Sequence, residues 1–193
     1  MLFSKKKPPV GWPTFTTQRL LLRPYQRRDV PAVWEVLRSP EIYATTAYIP
    51  KNITQNQVFA WIEHIRRAAQ EETSLELGIF SRADGTYLGN VGLINLSAYH
   101  RSAEISYFIH PDHWGKGYAT EAAAELLRYG FVARNYYRIA GTCMSRNPAS
   151  QRVMEKLGFQ VEGVARGELW KDGQFLDVTH LALLRSEWEV SQS

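Results

Sequence analysis

The residues with the most chemical content stand in one run: Trp114-Gly115-Lys116-Gly117-Tyr118-Ala119-Thr120-Glu121. Two glycines flank a lysine, and hydroxyls follow at Tyr118 and Thr120. Such a run can gather free backbone N–H groups at one point, and the chemistry of that point is anion binding, most often of phosphate. Donors at a helix start have no partner within the helix, and the helix dipole favours negative charge there. Glycine serves because a Cβ would hold a phosphate away from the backbone. A P-loop is excluded, since it needs Gly-x-x-x-x-Gly-Lys-Ser/Thr, and the dinucleotide fingerprint Gly-x-Gly-x-x-Gly fails at Thr120. Lys116 either meets a phosphate or faces solvent. Other chemistry is thinly supplied. Cys143 has no histidine near it in sequence and reads as a small buried residue. His110, His113 and His180 lack metal-ligand spacing with each other or with Cys143, so no metal is expected.

An anion site of this kind needs a strand before the glycines and a helix after them. Residues 103–109, Ala-Glu-Ile-Ser-Tyr-Phe-Ile, supply the strand, closed by Pro111. Residues 117–133 supply the helix, with Ala119, Ala123, Leu126, Leu127 and Phe131 on its apolar side. Residues 138–143 form a second strand joined through that helix, hence parallel to the first. Asn147-Pro148 opens another helix, closed by Gly158, and residues 159–184 read as a hairpin turning at Lys171-Asp172-Gly173-Gln174. Upstream, a strand over 16–23 precedes a helix from Asp29 that Ser39-Pro40 stops. Residues 40–53 read as a loop. The capping box Thr54…Gln57 starts a helix to about Glu71, with His64 on its surface. A meander over 75–96 follows, in which Gly89 and Gly92 mark a bulge or a close backbone approach.

With 193 residues, 45% of them hydrophobic, the chain suits one domain over 14–193 behind a flexible arm, residues 1–13, that carries Lys5, Lys6 and Lys7. No run approaches the roughly 18 apolar residues of a membrane helix, and the arm has no apolar core of a secretory signal. A single cysteine fits a reducing compartment, so a cytoplasmic location is expected. The formal charge of +4 is modest, and no basic run interleaves with aromatics, so no direct nucleic-acid role is expected.

The glycine run, the strand with Ala103-Glu104-Ile105 before it, Asn147-Pro148-Ala149-Ser150 and Lys156-Leu157-Gly158-Phe159 together resemble the GCN5-related N-acetyltransferase (GNAT) superfamily. The likeness covers residues 14–186 and is nearest to the branch of ribosomal-protein N-terminal acetyltransferases. It implies an α/β fold: a mixed, mostly antiparallel sheet of about seven strands with a splayed parallel pair, flanked by about four helices. It implies acetyl-CoA as cosubstrate, held at the pyrophosphate by Trp114, Gly115, Lys116, Gly117, Tyr118, Ala119 and Thr120. The acyl-pantetheine arm would pair with main-chain groups of Tyr107, Phe108 and Ile109, one of which would polarise the thioester oxygen. Asn147 would touch pantetheine or serve only as a helix cap.

The resemblance also names acid–base candidates. Glu104 is the implied general base, acting through water; its other reading is a structural carboxylate paired with a strand neighbour such as an arginine. Ser150 is implied in protonating the departing thiolate, or else it caps the helix with Asn147. Many relatives place a tyrosine for that proton where this chain has Met154, which cannot donate one. The acceptor implied by the branch is a protein N-terminal amine. The alternatives are a small amine (a polyamine, amino acid or aminoglycoside) or a non-catalytic acyl-CoA-binding domain. Edge strands in the family often pair between subunits, which makes a homodimer the implied assembly.

Overall fold

The computed structural model describes residues 13–191, so the expected arm lies outside it except for its last residue. Eight strands form one sheet: β1 (Phe15–Thr16), β2 (Leu20–Arg23), β3 (Leu75–Ser81), β4 (Tyr87–Ser97), β5 (Ser102–Ile109), β6 (Arg138–Met144), β7 (Gln160–Lys171) and β8 (Gln174–Leu184). Their order across the sheet is β1-β2-β3-β4-β5-β6-β8-β7. Every neighbouring pair is antiparallel except β5 and β6. Six α-helices flank the sheet: α1 (Val30–Leu37), α2 (Pro40–Thr45), α3 (Gln55–Gln70), α4 (Tyr118–Arg128), α5 (Pro148–Lys156) and α6 (Arg185–Ser191).

The sheet separates two apolar layers. On one side Ala103, Ile105 and Ile109 of β5 meet Ala122, Ala123, Leu126 and Leu127 of α4, all buried. Two alanines at that contact let the helix lie close to the strands. On the other side Val33 and Val36 of α1 and Val58, Ile62 and Ile65 of α3 pack with Phe80 and Tyr87. Each Val, Leu, Ile or Phe side chain among them contributes roughly 1.5–3 kcal/mol through burial, so the two layers fix the sheet between them.

The parallel pair is short. β5 and β6 are in register only at Ser102↔Arg138, Ala103↔Ile139 and Glu104↔Ala140. Beyond Glu104, β5 stays on β4 as far as Ile109, while β6 stays on β8 as far as Met144. The two strands therefore part, and the β5 edge from Ile105 onward faces a gap.

The class matches the expectation, with differences in detail. The sheet has eight strands because a two-residue strand, β1, joins its edge. Residues 40–45 are helix α2 and not loop: Ser39 is a cap whose hydroxyl accepts from the Ile42 N–H, and Pro40 is the first helical residue. The long helix stops at Arg128, and a π turn, Tyr129–Ala133, carries the chain on. A final helix, α6, follows β8. No helix among the described residues is long and apolar enough to cross a membrane.

Candidate active site

The glycine turn sits where β5 ends and α4 begins. Gly115 and Gly117 both adopt left-handed backbone, φ 73° and 80°, and Gly117 caps α4. Tyr118, Ala119 and Thr120 form the first helical turn, and the first bond closing it runs from the Glu121 N–H to the Gly117 carbonyl. Their own N–H groups lack helical acceptors. A Cβ on Gly115 would have no heavy atom within 4 Å, so the turn is open on that side. Open space beside unpaired donors fits a phosphate group.

Neighbouring side chains hold the turn in shape. The Trp114 indole N–H donates to the Ile109 carbonyl at 2.6 Å, tying the turn to the end of β5. Lys116 folds back, its Nζ donating to the Asp112 carbonyl at 2.9 Å. Arg19, from the turn before β2, donates to the Lys116 carbonyl at 2.9 Å and lies over the Tyr118 ring. Glu121 accepts from Arg19 Nε at 2.7 Å, the Arg19 N–H at 2.9 Å and the Thr17 hydroxyl at 2.6 Å. Burial opposes ionisation of Glu121, but these donors outweigh it and hold its carboxyl below the ordinary value. Arg19 and Glu121 lie 102 residues apart, and nothing in the local sequence pairs them.

At the parting of β5 and β6 stands Glu104. Its Oε1 accepts from the Thr142 hydroxyl at 3.0 Å and its Oε2 from the Asn95 amide at 2.9 Å. Glu104 thus braces β4, β5 and β6 together at the last paired position, and neither partner is an arginine. Past it, Tyr107 reaches across the gap. Its hydroxyl donates to the Ser150 carbonyl at 2.9 Å and lies 3.2 Å from Ser150 Oγ. Burial pushes the Tyr107 phenol up to about 12. A tyrosine hydroxyl from β5 thus stands at the start of α5, an approach that sequence spacing could not show. Met154 is buried; its Sδ would lie 2.6 Å from a Cβ on Gly141, the first parted residue of β6. Asn147 caps α5 by accepting from the Ser150 N–H at 3.2 Å, and its amide donates to the Thr45 carbonyl at 3.3 Å. Cys143 is buried, which raises its thiol.

The hairpin of β7 and β8 is latched to α2. Lys171, 6% exposed, donates through Nζ to the Tyr43 and Thr46 carbonyls, both at 2.5 Å, with the Tyr43 ring 4.0 Å from the ammonium. The Tyr43 hydroxyl donates to Asp172. Desolvation lowers the Lys171 ammonium below its usual value. Tyr43 is thus part of a closure. Tyr48 is exposed. Glu168 and His180 pair at 2.6 Å on β7 and β8. Among the described residues no group of three or more His, Cys, Asp or Glu could hold a metal.

A strand parted from its parallel neighbour, beside a turn with unpaired N–H groups, suits an extended ligand that carries a phosphate. Residues 19–160 match the family model "Acetyltransferase (GNAT) domain". The chain belongs to the GNAT acetyltransferases. Among relatives of this GNAT enzyme, the uncharacterized N-acetyltransferase YoaA of Bacillus subtilis is 31% identical over 90% of this chain and 98% of its own. Spermidine N(1)-acetyltransferase of Escherichia coli is 26% identical over 86% and 87%. A structure of RimL, the ribosomal L7/L12 alpha-N-protein acetyltransferase, in complex with coenzyme A has TM-score 0.80 over 87% of this chain and 95% of that one. At 18% identity that likeness concerns the fold. GNAT enzymes take acetyl from acetyl-CoA.

Proposed function

We propose that this GNAT enzyme transfers acetyl to a primary amine by direct attack in the gap between β5 and β6, and that the amine is a protein N-terminus. The observation that carries the location is the parting itself: β5 main-chain groups from Ile105 onward have no β6 partner, while β4 holds the strand straight. On this reading Trp114 to Thr120 hold the pyrophosphate, and the free edge at Tyr107 and Phe108 takes the pantetheine arm like an added strand. A main-chain N–H there polarises the thioester oxygen, leaving the carbonyl carbon open to the amine. The Ser150 hydroxyl, backed by Tyr107, supplies the proton for the leaving thiolate. Asn147 orders that corner as a cap. The Asn-Pro-Ala-Ser motif and its likeness to the ribosomal-protein branch support the protein acceptor.

A polyamine is the second reading, favoured by the spermidine-acetylating relative and by the Glu104 carboxylate where β5 and β6 part. Release of coenzyme A thiol from acetyl-CoA separates the two. Peptides with free and blocked termini are compared with spermidine and aminoglycosides. Release that requires a free peptide terminus is the expected result. Release with spermidine alone replaces the acceptor, and silence with every amine, against intact acetyl-CoA binding, overturns the enzymatic reading in favour of a binding domain.

A further inference from the structure

Glu76 of β3 lies in register with Gly92 of β4, and Gly92 with Ser106 of β5. A Cβ on Gly92 would lie 2.5 Å from Glu76 Cγ, so the glycine leaves the space that the glutamate side chain fills. Glu76 is thereby laid across β4. Its Oε2 accepts from the Asn90 amide at 3.1 Å, and Asn90 is in register with Phe108. The carboxylate is thus anchored over β4 at the level of Ser106 to Phe108, the stretch of β5 that has no β6 partner.

The anchor is rigid. Asn90 is 1% exposed, and its Oδ1 accepts from the Tyr25 hydroxyl at 2.7 Å; the Tyr87 hydroxyl lies 3.1 Å from that of Tyr25. Oε1 of Glu76 takes no hydrogen bond among the described residues. Glu76 lines a cavity of about 530 Å³ with His64, Arg67, Glu71, Ile94 and Asn95. Asn95 in turn holds Glu104, so the cavity adjoins the gap. Both oxygens of Glu104 already accept bonds that brace three strands.

We propose that Glu76, and not Glu104, is the catalytic residue that takes the proton from the attacking amine. This rests on the gap being the acyl site. The amine arrives as an ammonium with three N–H protons and leaves as an amide with one. The C–N bond forms as the C–S bond breaks; one released proton goes to the thiolate, the other to Glu76 and out through the cavity. Burial raises the Glu76 carboxyl, against the Asn90 bond that lowers it, and a raised carboxyl lies nearer an ammonium in proton affinity. The ionisable groups around it are His64 and Arg67 from α3, Glu71 just after that helix, and the phenols of Tyr25 and Tyr87 behind Asn90; Glu104 of β5 is linked to the cavity through Asn95.

The test is E76Q in the full chain, a change that preserves shape and the Asn90 contact. With an accepted amine, kcat falls about a hundredfold while acetyl-CoA affinity stays within about twofold of wild type. The acidic limb of kcat/KM, set in wild type by protonation of Glu76, moves up in E76Q to the titration of the amine itself, and E104Q keeps the wild-type limb. An E76Q enzyme with wild-type kcat and an unmoved acidic limb overturns the proposal and leaves the acetyltransferase reading standing. Wild-type silence with every amine strikes that reading instead. Glu76 is then judged without turnover, by carboxyl carbon NMR of wild type and E76Q. An elevated glutamate titration that is lost in E76Q and shifts when acetyl-CoA binds supports the proposal; its absence overturns it.

Discussion

Gly115→Ala asks whether the open side of the glycine turn is where a phosphate approaches. Two costs are separable. The backbone cost comes from φ 73°, a left-handed conformation that disfavours alanine by about 1–2 kcal/mol. Contact adds nothing, because no heavy atom lies within 4 Å of the new Cβ. At about 2–4 °C per kcal/mol for a chain of this size, Tm should fall by roughly 2–8 °C. The binding cost is larger. Losing two charge-assisted bonds, each worth about 1.5–3 kcal/mol, removes at least about 3 kcal/mol, or roughly a hundredfold in Kd. Gly85 supplies the control: it has φ 76°, equally empty surroundings, and a place in the turn between β3 and β4. Gly85→Ala should match the loss in Tm and leave coenzyme A binding unchanged by calorimetry. Pantetheine, which lacks the pyrophosphate, should bind all three proteins alike. Equal coenzyme A affinity in the two variants would refute the reasoning.

Glu121→Gln should lower Tm by roughly 4–8 °C at neutral pH, from about 2 kcal/mol of charged hydrogen bonding. The Glu121 carboxyl titrates below its ordinary 4.5, so wild type holds this stability above that value. The difference between the two proteins should close as pH falls through the folded pKa, followed by thermal denaturation. Tyr107→Phe should leave acetyl-CoA affinity within about twofold and lower kcat about a hundredfold in thiol release; an unchanged kcat would remove Tyr107 from the proton route. Lys171→Met should raise amide hydrogen exchange about tenfold at Thr46, whose N–H bonds back into α2, because about 1.4 kcal/mol of the latch is enough for that factor.

Much of this architecture can be read locally. The capping box at Thr54 and Gln57 is present as both reciprocal bonds, and the Asn147-Pro148 start of α5 stands where the residue types place it. These signals act within one turn of helix, so neighbours in sequence suffice. Ser39-Pro40 shows the limit of that logic. The pair can stop one helix or start the next, and here it starts α2, since proline at the first helical position loses no hydrogen bond. Gly92 is legible as a close approach, but the side chain it admits comes from β3 and depends on register. The site residues invisible to sequence share that cause. Arg19 with Glu121, Tyr107 with Ser150, and Lys171 with α2 meet only after the sheet has ordered segments tens of residues apart.

The latch on α2 bears on the traffic of substrates. On the proposed reading a slender amine can exchange while Lys171 grips the Tyr43 and Thr46 carbonyls. A folded acceptor needs a wider mouth and must wait for the ammonium to let go. The Thr45 carbonyl, on the same helix end, is held by the residue that caps α5 beside Ser150. On the same reading, lifting α2 would also free the Asn147 amide that caps α5, so admission of a bulky acceptor and order at the Ser150 corner are coupled.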